Sequence, residues 1–237
     1  MRIQCHLIFT ILCLAFVLPG FANTAMSDEP TFQAGAAMSN ITPPIGSNQT
    51  GRSSKRQATH VHDELHARCL VLDDGQSKLA LVVCDLRHIS AEVVVNAKQI
   101  IQQSTGIPPE CVLVSATHTH TSSGAKLEDR EGQSYYDYRA FLTRRIADGV
   151  QRAVNQLQPA RIGWGVAEEP TQVFNRRWFL MPSRGTIYGA HDNIEQVDTN
   201  PGYSGLLRPA GPVDPQITFL AVQSTAGKPI ALLASYG

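Results

Sequence analysis

The run HARCLVLDDGQSKLALVVCDLRHISAEVVVNAKQIIQQSTGIPPECVLVSATHTH, residues 66–120, decides the fold class. It opens with two apolar stretches, HARCLVL (66–72) and KLALVVCDL (78–86), on either side of Asp73-Asp74-Gly75-Gln76. An acid followed by glycine makes a tight turn, so this spacing predicts a hairpin. Ser90 then stands before AEVVVNAKQIIQQS, where Val93, Ala97, Ile100 and Ile101 recur at helical spacing. A serine there caps a helix, and Gly106 with Pro108-Pro109 ends it. CVLVSATHTH (111–120) reads as a further strand.

Outward from this block the alternation continues. A second helix is expected from about Ser134 to Leu157, with Phe141, Leu142, Ile146, Val150, Val154 and Leu157 on its apolar face. ARIGWGVAEE (160–169) reads as a strand, and ITFLAVQS and PIALLASY flank the turn Thr225-Ala226-Gly227-Lys228 as a second hairpin. Residues 175–215 are rich in Gly, Pro, Asn and Arg and are expected to be ordered loops. Upstream, FQAGAAMSNITPPIG gives only a short apolar stretch, which Pro43-Pro44 ends, and residues 47–59 with Lys55-Arg56 read as an exposed loop. The expectation is one α/β domain, a mixed sheet with packed helices.

The chain has 237 residues, enough for one sizeable core. Lys+Arg and Asp+Glu are both 20, so no electrostatic footprint for nucleic acid or an anionic surface is present. At the start, Arg2 precedes an apolar run from Leu7 to Leu18, then Pro19, Gly20 and Ala22. This is a secretory signal pattern, with cleavage expected after Ala22 and Ala25 as a second candidate. The run is shorter than the ~18–20 residues of a spanning helix; an uncleaved anchor is the alternative. The expected division is 1–22 signal peptide, 23–33 linker and 34–237 domain, exported to the periplasm or medium. Cys5 and Cys13 would leave with the signal. Cys69, Cys84 and Cys111 sit in apolar segments and read as small buried hydrophobes without metal-site spacing.

The chemistry concentrates at Ser115-Ala116-Thr117-His118-Thr119-His120-Thr121-Ser122-Ser123-Gly124. On an extended strand Val112, Val114, Ala116, His118 and His120 share one face, which brings two imidazoles together where the strand meets a Ser/Gly loop. Two neutral imidazoles suit Zn²⁺, although a catalytic zinc needs about three protein ligands. The bland alternative is a pair of hydrogen-bonding histidines at a strand end. His60, His62, Glu64 and His66 also alternate if extended: either a second metal site, or a polar strand entry with His62 or Asp63 near the cleft. Asp85, closing LALVVCD, is either a carboxylate orienting a ligating histidine or a helix-leading acid partnered by Arg87 or His88. In Asn175-Arg176-Arg177-Trp178 the arginines are either an oxyanion clamp or surface ion pairs.

At SATHTHTSSG the sequence resembles the neutral/alkaline non-lysosomal ceramidase family, whose signature reads close to ATHTHSGPGG. AAMSNITPPIG, VHDELHARCLVLDDG, LALVVCDL and FNRRW agree in order, so the resemblance spans roughly Ala34 to Gly237. It implies the N-terminal domain of a zinc amidase that cleaves the N-acyl bond of ceramide to sphingosine and fatty acid. It implies His118 as the first zinc ligand, His120 as the active-site histidine facing the substrate, and Arg176 as the active-site arginine. The partner implied is a small-molecule or lipid amide, compatible with peripheral membrane contact; no nucleic acid is expected, and the oligomeric state stays open. The sequence departs from the family at Thr121-Ser122-Ser123-Gly124, where Ser-Gly-Pro is usual. The family's second zinc histidine follows a strand resembling PIALLASYG, at which this chain stops. The expectation is therefore a domain incomplete at its C-terminus, a fragment or interrupted frame, weak or inactive alone. The competing expectation is an exported non-catalytic metal- or ligand-binding domain, or a degenerate remnant.

Overall fold

The computed structural model describes residues 31–49, 57–122, 138–181, 197–199, 202 and 205–236. The expected signal peptide, all but the last residues of the linker, Lys55-Arg56, Ser123-Gly124, the helix start at Ser134 and Gly237 lie outside the described residues.

Strands β2 (His66–Asp73) and β3 (Lys78–Cys84) form the expected antiparallel hairpin, Asp73 opposite Lys78 and Ala67 opposite Cys84. Its turn is built by two carboxylates. Asp73 Oδ1 accepts the Gly75 amide at 2.9 Å, and Asp74 Oδ1 accepts those of Gln76 and Ser77 at 2.9 and 2.8 Å. Gly75 has φ 85°, where a side chain would be strained. Helix α1 (Ala91–Thr105) follows. Ser90 Oγ accepts the Val93 amide at 3.4 Å, and left-handed Gly106 closes the helix by donating to the Gln102 carbonyl at 3.0 Å. Strand β4 (Val112–Ala116) returns parallel to β3, completing a strand–helix–strand unit.

Strand β1 (Gln33–Asn40) pairs with β2 along its whole length, Gln33 opposite Asp73 and Asn40 opposite His66. The short apolar stretch upstream of Pro43-Pro44 is thus a strand in the middle of the sheet. Helix α2 (Tyr138–Val154) is followed by strand β5 (Gln158–Glu168). Residues 175–215 are not loops alone: β6 (Arg177–Leu180), β7 (Val197–Thr199) and β8 (Leu206–Pro209) form a small antiparallel sheet of order β7-β6-β8. Strands β9 (Gln216–Ser224) and β10 (Pro229–Tyr236) form the second expected hairpin around Gly227. The main sheet has seven strands in the order β10-β9-β5-β1-β2-β3-β4. It is mixed, with β3–β4 as its parallel pair.

Alternation sorts the side chains. Ala67, Cys69 and Val71 of β2 and Ala80, Val82 and Cys84 of β3 join Val93, Ala97 and Ile101 of α1 and Leu142, Ile146 and Val150 of α2 in one core. Each buried Val, Leu or Ile contributes about 1.5–3 kcal/mol relative to exposure. Leu70, on the opposite face of β2, joins Ala34, Ala160 and Val222 in a second cluster, with Ile230 and Ala231 of β10 against it. Strand β5 pairs with β1 only through Ala34–Gln158 and Gln33–Pro159, whereas it pairs with β9 from Ala160 to Glu168. The sheet is therefore two plates joined at a narrow seam. Among the described residues no helix is long and apolar enough to cross a membrane.

Candidate active site

The site lies beyond the carboxyl ends of the parallel strands, where α/β folds bind ligands. Strand β3 ends at Cys84, whose carbonyl accepts the amides of Leu86 at 2.7 Å and Thr117 at 3.0 Å. Strand β4 then has no ladder partner left, so it stops at Ala116, the residue opposite Cys84. This corrects the expected strand 111–120: His118 and His120 leave β4 instead of continuing its alternation. His118 takes φ 60°, the positive-φ non-glycine among the described residues. Such a conformation costs a few kcal/mol at most and persists only where its surroundings hold it.

The turn nevertheless keeps the imidazoles together. Their ring centroids are 5.1 Å apart with an interplanar angle of 67°, edge to face. His118 Nδ1 lies 2.9 Å from the Arg87 carbonyl oxygen. A carbonyl oxygen only accepts, so Nδ1 carries the hydrogen and the neutral ring keeps its lone pair on Nε2. Both histidines are exposed. Arg87 is gripped on its other side as well: its amide donates to Ser122 Oγ at 3.2 Å.

Asp85 does not orient a histidine and is not partnered by Arg87 or His88, which corrects both expectations for it. Its two oxygens take Arg68 Nη1 at 2.6 and 2.5 Å, and Oδ2 accepts the His66 amide at 3.0 Å. The carbonyl of Arg87 fills the orienting role.

Beside the histidine loop is a cleft of about 840 Å³. Thr117, Thr119 and Thr121 line it, the residues interleaved with the histidines, and the imidazoles of His118 and His120 are not in its lining. Its far wall is the segment His60–His66 with Asp85 and Arg68. His62 and Asp63 therefore do border the cleft. The segment is not a strand until His66, so its histidines do not alternate. His62 Nδ1 pairs with its neighbour Asp63 at 2.8 Å, both close to fully exposed, and His66 Nε2 stands 3.9 Å from Glu64. Among the described residues no group of three or more His, Cys, Asp or Glu is placed to hold a metal ion. His60–His66 thus forms no such group as it stands, and its observed place is the wall of the cleft. Nor do the described residues complete a zinc site at His118: Nε2 offers one well-oriented donor, short of the three protein ligands a catalytic zinc uses.

Arg176 precedes β6 and lines a different depression, with Phe174, Asn175, Arg177 and Thr199. Asn175 shapes that turn: its Oδ1 accepts the Arg177 amide at 2.9 Å and its Nδ2 donates to the Pro212 carbonyl at 3.2 Å. Among the described residues Cys69, Cys84 and Cys111 are free. Burial pushes the thiols of Cys69 and Cys84 up to about 12, so both stay protonated. The sequence offers Arg87 only as a side-chain partner for Asp85, whereas it is its backbone that holds His118, and it gives Ser122 no role of its own. The one signal for Ser122 was its place in the loop departing from the family pattern.

No protein-family model matches the sequence, and no curated protein matches it. Solved structures do. The neutral ceramidase from Pseudomonas aeruginosa matches with a TM-score of 0.62 and 20% identity, over 87% of this chain and 32% of that one. The fold is shared with neutral ceramidase. A ceramidase complexed with C2 matches with a TM-score of 0.60 and 19% identity, over 86% of this chain and 30% of that one. The chain thus spans about a third of the ceramidases it matches. At such identities the likeness is one of fold, and it bears out the mixed α/β architecture with packed helices.

Proposed function

We propose that this chain is an exported amide-hydrolase domain of ceramidase type, with His118 and His120 at its reacting centre and an N-acyl lipid amide as substrate. The observation that carries the reading is the His118–Arg87 contact. It fixes the ring so that Nε2 presents a lone pair to solvent beside a second imidazole. A side chain held that way is prepared to ligate a metal or to take a proton. The ceramidase fold supports the same reading.

In this reading His118 is one zinc ligand and His120 is the proton donor to the leaving amine. The family resemblance would have Arg176 meet the charge that develops on the carbonyl oxygen, although here it lines a separate depression before β6. Zinc would polarise that carbonyl and acidify a bound water. The cleft walled by threonine hydroxyls and the His60–His66 segment suits the hydroxylated head of the substrate better than its acyl chain.

The test is release of fatty acid from a fluorescent N-acyl sphingosine by the purified chain with zinc added. Hydrolysis, however weak in so short a chain, that His118→Ala and His120→Ala each abolish supports the reading, and hydrolysis that both variants leave unchanged refutes it. A second reading, a non-catalytic exported domain that binds metal or ligand, is favoured by the incomplete donor set among the described residues. Zinc titration separates the two: binding that requires His118, without hydrolysis, selects the second.

A further inference from the structure

We infer that Ser122 is a positioning residue which sets the ring orientation and tautomer of His118 through Arg87. The hydroxyl sits in an otherwise exposed loop, yet Ser122 is only 2% accessible. Its oxygen accepts the Arg87 amide at 3.2 Å and stands 3.5 Å from the Thr119 carbonyl oxygen. The first contact holds Arg87 from its amide side. From the carbonyl side, Arg87 accepts His118 Nδ1 at 2.9 Å. One residue of the β3–α1 connection is thus clamped between two residues of the histidine loop, 35 and 31 positions away.

The clamp explains how His118 keeps φ 60° without being glycine. Sparsely populated backbone states persist when the surroundings over-determine them. Here the surroundings are the short circuit Ser122, Arg87, His118, closed through Thr119 within the loop. Removing the Ser122 hydroxyl leaves the Arg87 amide without this acceptor. The Arg87 carbonyl then loses its fixed direction, and the imidazole is no longer bound to one tautomer. A partner one step behind a ligating histidine, the place of the Arg87 carbonyl here, typically changes metal affinity by about ten- to a hundredfold, and Ser122, acting through Arg87, falls at the low end of that range. The importance of the clamp for catalysis rests on the hydrolase reading; the clamp itself does not.

The experiment compares wild type, Ser122→Ala and Ser122→Thr, all metal-free, by long-range ¹⁵N–¹H correlation of the imidazole nitrogens at one pH where the rings are neutral. The expected result is a protonated Nδ1 on His118 in wild type and in S122T, and an averaged pair of tautomers in S122A. Zinc affinity then falls about tenfold in S122A and recovers in S122T. An S122A spectrum identical to wild type overturns the inference, as does a wild type with its hydrogen on Nε2. If S122A yields no folded protein, Ser122→Cys replaces it, with a weaker acceptor and a smaller tautomer change expected. Failure of the hydrolase reading appears separately, as amide cleavage that His118→Ala and His120→Ala leave unchanged.

Discussion

Gly149 of α2 lies directly against Cys69 of β2: a β-carbon on Gly149 would stand 2.6 Å from the Cys69 sulfur and 3.2 Å from Ser39 Oγ. No real side chain fits that space without movement. The close approach lets α2 seat on the middle of the sheet, where Cys69 is 3% and Ser39 0% exposed. Tyr138 ties the same helix down at its other end, donating its hydroxyl to the Ile41 carbonyl at 2.7 Å.

Gly149→Ala should therefore be destabilising despite alanine's better helix propensity. The obstructing atoms belong to a core side chain and not to a flexible surface tip, so the cost is about 1–3 kcal/mol. Thermal denaturation should show a midpoint lower by several degrees. A midpoint at or above wild type would show that α2 can shift away from Cys69 freely.

Alkaline pH should destabilise the fold through Cys69 and Cys84. Burial raises both thiols to about 12, against 9.0 for the unperturbed group. Below pH 9 both states keep the proton and no stability is lost. Between pH 9 and 12 the unfolded chain releases protons that the folded chain retains, so stability falls as pH rises, by up to ~1.4 kcal/mol per pH unit for each thiol. Denaturant titrations at pH 8 and pH 10.5 should show a smaller alkaline loss in Cys69→Ala and Cys84→Ala. Equal losses in wild type and both variants would assign the effect to other groups.

His118→Gly and His118→Ala should both abolish zinc binding at the site but differ in stability. Alanine retains the left-handed penalty and glycine does not, a difference of about 1 kcal/mol. Chemical denaturation should rank His118→Gly above His118→Ala. The reverse ranking would mean that residue 118 leaves the φ 60° conformation once its ring is gone.

Self-association is expected from the plate that carries β5. Trp164 is 80% exposed and Val166, two residues on, shares its side of the strand. Large exposed apolar side chains mark interaction or aggregation surfaces. Sedimentation velocity should show concentration-dependent association that Trp164→Ser reduces. A monomer at all concentrations would remove this expectation.

The parts legible in the sequence are those whose determinants are local. The β2–β3 hairpin is written in Asp73-Asp74-Gly75 and in two apolar runs, and α1 in Ser90, its spaced apolar residues and Gly106. Strand β1 was hidden because its core, AGAAMSN, is made of small residues with little strand preference of their own. What makes it a strand is register with β2 and the approach of α2, which leaves no room for a β-carbon at Gly35. Strands β6 to β8 were hidden because four residues such as RWFL carry no measurable period.

At the site, the sequence brought His118 and His120 together for a reason the structure replaces. It put them on one strand face, whereas β4 ends when β3 no longer supplies a ladder partner, a fact that no residue of β4 encodes. The pairing of His118 with the Arg87 carbonyl is a backbone contact across 31 positions, invisible to any side-chain pattern. Asp85 stands just past a strand end, as its place after LALVVC indicates, but its partner is Arg68 of the adjacent strand, which no local pattern reveals.

The two-residue seam between β1 and β5 has a bearing on how the molecule comes apart. Ala34–Gln158 and Gln33–Pro159 are the paired residues that link the ladders, with the Ala160 amide donating to the Phe32 carbonyl at 3.0 Å beside them and a cluster of four buried residues behind. The helix-covered plate has a far larger core. Cooperative units divide where few contacts cross, and the unit with fewer buried contacts opens first. The β5–β9–β10 plate is therefore expected to open as a unit of its own, its amides exchanging with solvent at a lower free energy than those of β2 and β3. The Arg87–His118 contact, built on the β3–α1–β4 unit, is expected to outlast that opening.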